Sequence, residues 1–386
     1  MRAALAAGFT LAAGAPQQSA PAPADTLGEA RRILDHGDVA GAIASLARLL
    51  ESDPTDPEAA PSRFLLADLL DRRGETDAAL HQLQAVRESG SPSALSDAAL
   101  DRATLIYRTR RLAATGGSAV WKLDSGYAAA TSAAALKGPS ALAIGADGTL
   151  WVADERADEL VQLDASGGVV SRTPRDSPRF LTAIPAGILA TTGNRSLGVV
   201  GATAVIPPAG PEPADSSGET GGSSRAPLVR RIGGLAAGPG PDTVLLIDES
   251  ESRLLRYRPD LSFQSILYDP ASGKLTGVAS DPAGFIWVGL EKARSVAQID
   301  AAGRELRRVG PFTALRDIAV DAIGNLYVLD DRERRVAIFD RQGNSLSSLS
   351  LDALGLPEAQ LTALAVGRTG EIYLADRRGA RIVRLG

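Results

Sequence analysis

Two hydrophobic rhythms divide the chain. Between Asp25 and about Ala114, apolar residues recur every three or four positions, as in ARRIL, AIASLARLL, RFLLADLLDRR and AALHQLQAV, which is the spacing of amphipathic helices. From Ala141 onward they gather instead into short runs. A strand of small apolar residues, a Gly turn, a strand with an aromatic or aliphatic centre that often ends in Asp, and a further strand form one phrase that recurs six times. Clear copies are SALAIGADGTLWVADERADELVQLD, RDIAVDAIGNLYVLDDRERRVAIFD and TALAVGRTGEIYLADRRGARIVRLG. A period of roughly 40 residues with several strands per unit is that of propeller blades. The pattern therefore predicts a multidomain α and β chain, with a short α-helical hairpin module over 25–114 followed by an all-β six-bladed propeller over 119–386.

The six central strand residues are Trp151, Ile188, Leu245, Trp287, Tyr327 and Tyr373. The gap between Ile188 and Leu245 is the long one, and the Pro, Gly and Ser content of 207–227 assigns the excess to a disordered insertion. Both faces of the central strands are apolar, as sandwiching between neighbouring blades requires. The preceding strand carries Ala141, Ala143, Ala236, Ala279, Ala319 and Ala365, suited to the crowded axis. The last unit stops after its third strand, which would leave an open edge. Residues within Ala119 to Ser132 are expected to pair with Arg381 to Leu385 and close the ring.

With GTLWVADE, GNLYVLDD and GEIYLADR in view, the C-terminal two thirds resembles the NHL repeat family. That resemblance implies a propeller, often six-bladed, serving mostly as a binding platform for proteins or RNA, with a minority of related propellers acting as lactonases or lyases. The second unit, FLTAIPAGILATTGNRSLGVV, lacks the Asp and the Gly turn. In the helical part, GDVAGAIASLARLLESDP resembles the second half of a tetratricopeptide (TPR) repeat through Gly37, Ala42 and Pro54, and GETDAALHQLQAVRESGSP repeats Gly74 and Ala79 in register. The small residues are expected to let paired helices approach closely, and Pro54 to stop a helix. Phe64, Leu65 and Leu69 should lie between helices, and a helix from Ser93 to about Arg111 should cap the module. The resemblance implies a concave surface for peptides or partner proteins.

Candidate chemistry is sparse. Asp154, Asp248, Asp330 and Asp376 recur at the end of one strand, where they are expected to accept backbone N–H groups within their own turns rather than hold hard cations. Arg253, Arg335 and Arg381 stand just before the third strand, where a solvated ion pair or one with a neighbouring blade's carboxylate is expected rather than a ligand site. Asn325 follows a turn Gly, where tolerance of left-handed backbone accounts for it. Both histidines, His36 and His81, fall in the helical part, so a His-dependent propeller site is ruled out on inventory. There is no Walker loop, dinucleotide fingerprint or Cys/His metal spacing. The expectation is no catalytic, cofactor-binding or metal-binding residue and no cofactor. Two readings follow: a non-enzymatic interaction or ligand-binding scaffold, or a propeller hydrolase such as a metal-dependent lactonase. Carboxylates or amides converging at the channel mouth would favour the second, and a small-residue channel with mixed charge the first.

At 386 residues and 44% apolar content the chain can bury more than one core. A net charge of −5, with basic and acidic residues near balance across 121–386, disfavours nucleic acid as a partner. An unidentified protein or peptide is the expected partner, and oligomeric state is not legible. Residues 1–24, with one Arg, an apolar stretch from Ala3 to Ala15 and Ala22-Pro23-Ala24, resemble a secretory signal peptide, which implies a secreted or periplasmic address. That stretch is too short for a transmembrane helix of ~20 residues. No Cys is present, so no disulfide framework exists.

Overall fold

The computed structural model describes residues 26–52, 56–112, 120–202, 229–270 and 273–386. The signal-like segment, Pro54 and the insertion 207–227 lie outside them. The chain divides into two compact units, 1–91 and 92–386. Among the described residues no helix is long and apolar enough to cross a membrane.

The first unit contains α1 (Leu27–Asp35), α2 (Val39–Ser52), α3 (Ala59–Arg72) and α4 (Thr76–Glu88), each packed on the next. Thr26 caps α1 by accepting the Glu29 N–H. Ala42 and Ala79 are fully buried between helices. Gly37 and Gly74 serve differently from expectation. Their φ angles of 84° and 81° turn the chain after α1 and α3, and a Cβ at either would meet open space, so conformation rather than close approach selects glycine. Leu69 is fully buried, whereas Phe64 and Leu65 are half-buried.

The helix expected to close that module, α5 (Ser93–Ile106), falls in the second unit. It runs into a π-helical turn, Tyr107–Leu112, and a further helix, α6 (Ser125–Ala133), precedes six antiparallel sheets. These are β1–β4 (Pro139–Ile144, Leu150–Asp154, Glu159–Leu163, Val169–Pro174), β5–β7 (Leu181–Ile184, Gly187–Thr192, Ser196–Val199), β8–β11 (Ile232–Ala237, Val244–Asp248, Arg253–Tyr257, Phe263–Tyr268), β12–β15 (Leu275–Ser280, Ile286–Leu290, Ser295–Ile299, Glu305–Val309), β16–β19 (Leu315–Val320, Leu326–Asp330, Arg335–Phe339, Ser345–Ser350) and β20–β22 (Leu361–Val366, Ile372–Asp376, Arg381–Leu385). Each sheet pairs in sequence order, and the first strands β1, β5, β8, β12, β16 and β20 neighbour one another cyclically, so the sheets form a six-bladed propeller.

The predicted centres all fall on second strands, and three of those strands, β9, β13 and β17, are buried along their whole length. Each seam between adjacent blades has its own apolar cluster, such as Trp287 and Val296 against Phe312 and Ile318. This agrees with the apolar character of both strand faces.

Ring closure follows the expectation over a shorter stretch. Leu123 bridges Leu385 antiparallel, the Lys122 N–H donates to the Gly386 carbonyl at 3.2 Å, and the Asp124 N–H donates to the Arg384 carbonyl at 2.9 Å. Tyr127 to Ser132, the later part of the stretch expected to close the ring, is helical. Asp124 accepts the Tyr127 N–H at 2.9 Å and starts α6. The helix then lies on β22, where the Thr131 hydroxyl donates to the Ile382 carbonyl at 2.7 Å. The Tyr127 N–H, and secondarily Arg384 at 2.7 Å, hold the Asp124 carboxyl below its ordinary pKa.

Candidate binding site at the mouth of the central channel

Because the first strand of every blade faces the axis, its small residues leave a central channel of about 860 Å3. The wall includes Ala141, Ala143, Gly234, Ala236, Gly277 and Ala363. Threonine and serine hydroxyls tie neighbouring blades along it: Thr362 donates to the Pro139 carbonyl at 2.8 Å and Ser280 to the Ala237 carbonyl at 2.9 Å. At the turns joining the first and second strands of blades five and six, the segment leading into the first blade takes up the surface. Arg110 donates to Asn325 at 2.9 Å, and the Trp121 indole N–H donates to the Gly370 carbonyl at 2.9 Å.

The opposite end carries the charged mouth. Glu155 lies between Arg377 at 3.0 Å and Arg179 at 3.5 Å, linking blades six, one and two. Glu249 similarly meets Arg231 at 2.8 Å and Lys274 at 3.7 Å, and Lys274 also reaches Glu291 at 3.1 Å. The blade-five sector differs, because Arg316 and Asp331 line the mouth and form no ion pair among the described residues.

Below Arg316 stands Asp317, at a bulge where β16 shifts register against β17. In register, the same position is Ala141, Leu181, Gly234, Gly277 and Ala363 in the other five blades. One Asp317 oxygen accepts the Leu364 N–H of blade six at 2.8 Å, and the other accepts the Ile318 N–H at 2.9 Å. The residue is half-buried on the channel wall. Burial pushes its pKa up to about 7, against the lowering effect of those two N–H groups and of Arg316.

The recurrent aspartates are occupied by backbone, though over a wider span than expected. Asp154 accepts the Lys137 and Gly138 N–H groups at 2.7 and 2.6 Å, and Asp330 accepts those of Thr313 and Ala314 at 2.9 Å each. These donors lie in the segment entering the blade, so the carboxylate pins the first strand's start to the second strand's end. Asp376 does both, accepting from Gln360 at 3.1 Å and from Gly379 in its own turn at 3.0 Å. Asp248 accepts from Ser250 in its own turn at 3.0 Å. In the divergent second blade the Thr191 hydroxyl takes this place, accepting from Arg179 and Phe180 at 2.8 and 3.1 Å.

Two expectations are corrected. Arg335 and Arg381 face Asp330 and Asp376 of their own blades at 3.9 and 3.2 Å because the hairpin register sets each pair side by side, and Arg253, opposite Asp248 in register, reaches Glu251 of its own turn at 3.7 Å. Asn325 does not adopt left-handed backbone; Gly324 does, with φ 87°. The Asn325 amide instead donates to Asp321 at 2.7 Å in a fully buried network that includes the Tyr327 hydroxyl at 3.1 Å. Among the described residues, no three His, Cys, Asp or Glu side chains gather closely enough to hold a metal ion.

Sequence reasoning did not single out Glu155, Lys274 or Asp317. Aligning the first strands rather than the second would have exposed Asp317 as the ionisable residue among Ala, Gly and Leu.

No family profile and no curated protein matches the sequence. Among solved structures the chain is similar to a streptogramin B lyase, at 12% identity over 65% of this chain and 93% of that one, with a TM-score of 0.48. It is also similar to the virginiamycin B lyase of Staphylococcus aureus, at 13% identity over 62% of this chain and 78% of that one, with a TM-score of 0.47. A catalytically inactive variant of that lyase with quinupristin gives 13% identity over 64% and 80%, with a TM-score of 0.45. At such identities the likeness concerns fold alone.

Proposed function

We propose that the chain is a non-enzymatic protein-interaction or ligand-binding scaffold of the cell envelope, with the charged channel mouth as its binding surface. The observation that carries this reading is the mouth itself: alternating charges already paired with one another around a small-residue channel. Catalysis of acyl or lactone cleavage needs an activated nucleophile, a general base or a metal at one point. The carboxylates at this mouth are instead distributed among blades, with Glu155 and Glu249 each held by two cations. On this reading the blades are NHL-like, α1–α4 are a TPR-like second contact surface, and residues 1–24 direct export.

The test is paired capture and turnover. Full-length protein and a Glu155→Arg/Glu249→Arg variant are compared for capture of envelope components, and both are assayed against lactones and esters with Ca2+, Mg2+ or Mn2+ supplied. Reversing two partly exposed charges that each hold two cations is expected to reduce capture about tenfold, with hydrolysis at the buffer rate. Multiple turnover of any lactone or ester would overturn the non-enzymatic reading.

A further inference from the structure

The blade-five sector departs from the rest of the channel in a way the fold does not need. Five blades place Ala, Gly or Leu where β16 places Asp317, so a carboxylate is not required to build that strand. Among the described residues no cation forms an ion pair with it, and the neighbouring Arg316 acts on it only from a distance. β12 and β20, the first strands on either side, carry no ionisable side chain, and Arg316 of its own strand is exposed and makes no ion pair with it. The remaining charges near this sector, Lys274, Glu291, Asp331 and Arg377, stand at the mouth. A partly desolvated carboxylate without a paired cation is costly. It has accepted one N–H on each oxygen, and a carboxylate has about four lone-pair sites, so acceptor capacity is left over. First-strand edges facing the channel add backbone carbonyls.

From this placement we propose that the channel receives a protonated primary amine, seated between Asp317 and the carbonyl edges of the first strands. Resting on the binding-platform reading, this names the ligand class. A slender alkylammonium chain fits walls of Ala and Gly, and its three N–H donors match one carboxylate oxygen and two carbonyls. Lysine side chains of a partner and free diamines share this chemistry. The raised pKa of Asp317 agrees with a carboxylate that lacks its cation and is expected to fall when one arrives.

The experiment is a titration of full-length protein carrying 13C-carboxyl aspartate, followed by NMR, with three probes: N-acetyl-lysine amide, cadaverine, and the uncharged N-acetyl-norleucine amide. The expected result is a saturable shift of the Asp317 carboxyl with a charged probe, a fall in its pKa on saturation, and no response to norleucine. A stronger effect of the lysine amide points to a partner's lysine, and of cadaverine to a free diamine. Asp317→Asn should weaken binding by calorimetry about tenfold or more. Asp317→Ala, which copies Ala141 and Ala363, gives a second variant for the same comparison if Asn disturbs folding. Equal binding by both variants, equal binding of norleucine, or no saturable shift with either amine would overturn the proposal. Loss of capture in the Glu155→Arg/Glu249→Arg variant alongside no amine binding would leave the platform reading standing and remove this inference alone.

Discussion

Replacing Trp121 by alanine is expected to destabilise the propeller by about 3–5 kcal/mol, the range for removing a buried tryptophan. The indole is 1% exposed and packs in the cluster that joins blades five and six with Leu361, Leu374 and Leu385. Its N–H also satisfies the Gly370 carbonyl. The same short segment supplies Lys122, Leu123 and Asp124 to the open edge of β22, so the loss falls where the ring is closed. Blades bury little surface alone, and opening one seam should be felt by all of them. Urea unfolding followed by tryptophan fluorescence and circular dichroism checks this. A loss below about 1 kcal/mol would mean that the segment decorates the ring rather than closing it.

Asp317→Asn is expected to raise stability at pH 8 while leaving it nearly unchanged at pH 4. The folded carboxyl titrates near 7 against 3.8 for the ordinary group, because burial disfavours its charge. Between those values the folded chain holds a proton that the unfolded chain has released, so stability falls as pH rises through about 4 to 7 and levels off above. A shift of about three units corresponds to something on the order of 4 kcal/mol at most, at about 1.4 kcal/mol per unit. Asparagine keeps an acceptor for the Leu364 N–H, gives up the one for the Ile318 N–H at a cost that does not vary with pH, and does not ionise. The difference between variant and parent in urea unfolding should therefore grow with pH. A difference that stays flat from pH 4 to pH 8 would contradict the assignment. A group that costs stability and recurs in no other blade is of the kind retained for binding.

The second strands were legible because their residues meet a neighbouring blade on both faces, which forces apolar side chains at every position from Leu326 to Leu329 and from Ile286 to Val288. The closing segment was legible as a need, since an unpaired β22 edge demands a partner, but not in its extent. Apolar Tyr127 and Ala128 look strand-compatible, and the signal that they are helical is Asp124, whose carboxylate caps the Tyr127 N–H. Thr191 hid the second blade because a hydroxyl can do the work of the repeated aspartate. The channel mouth was the least legible part. Glu155 and Arg377 are far apart in sequence and meet because closing the ring brings blade six beside blade one, while Arg179 reaches the same carboxylate from the adjacent blade two.

The most direct test of the mouth as the binding surface is site-specific photo-crosslinking in cells. A photoreactive phenylalanine analogue is placed singly at Glu155, Lys274 and Asp331, and for comparison at the exposed outer-strand residues Val170, Ile266 and Leu306. The account predicts a discrete crosslinked product from the mouth positions and none from the outer strands. Crosslinks confined to the outer strands, with none from Glu155, Lys274 or Asp331, would contradict it.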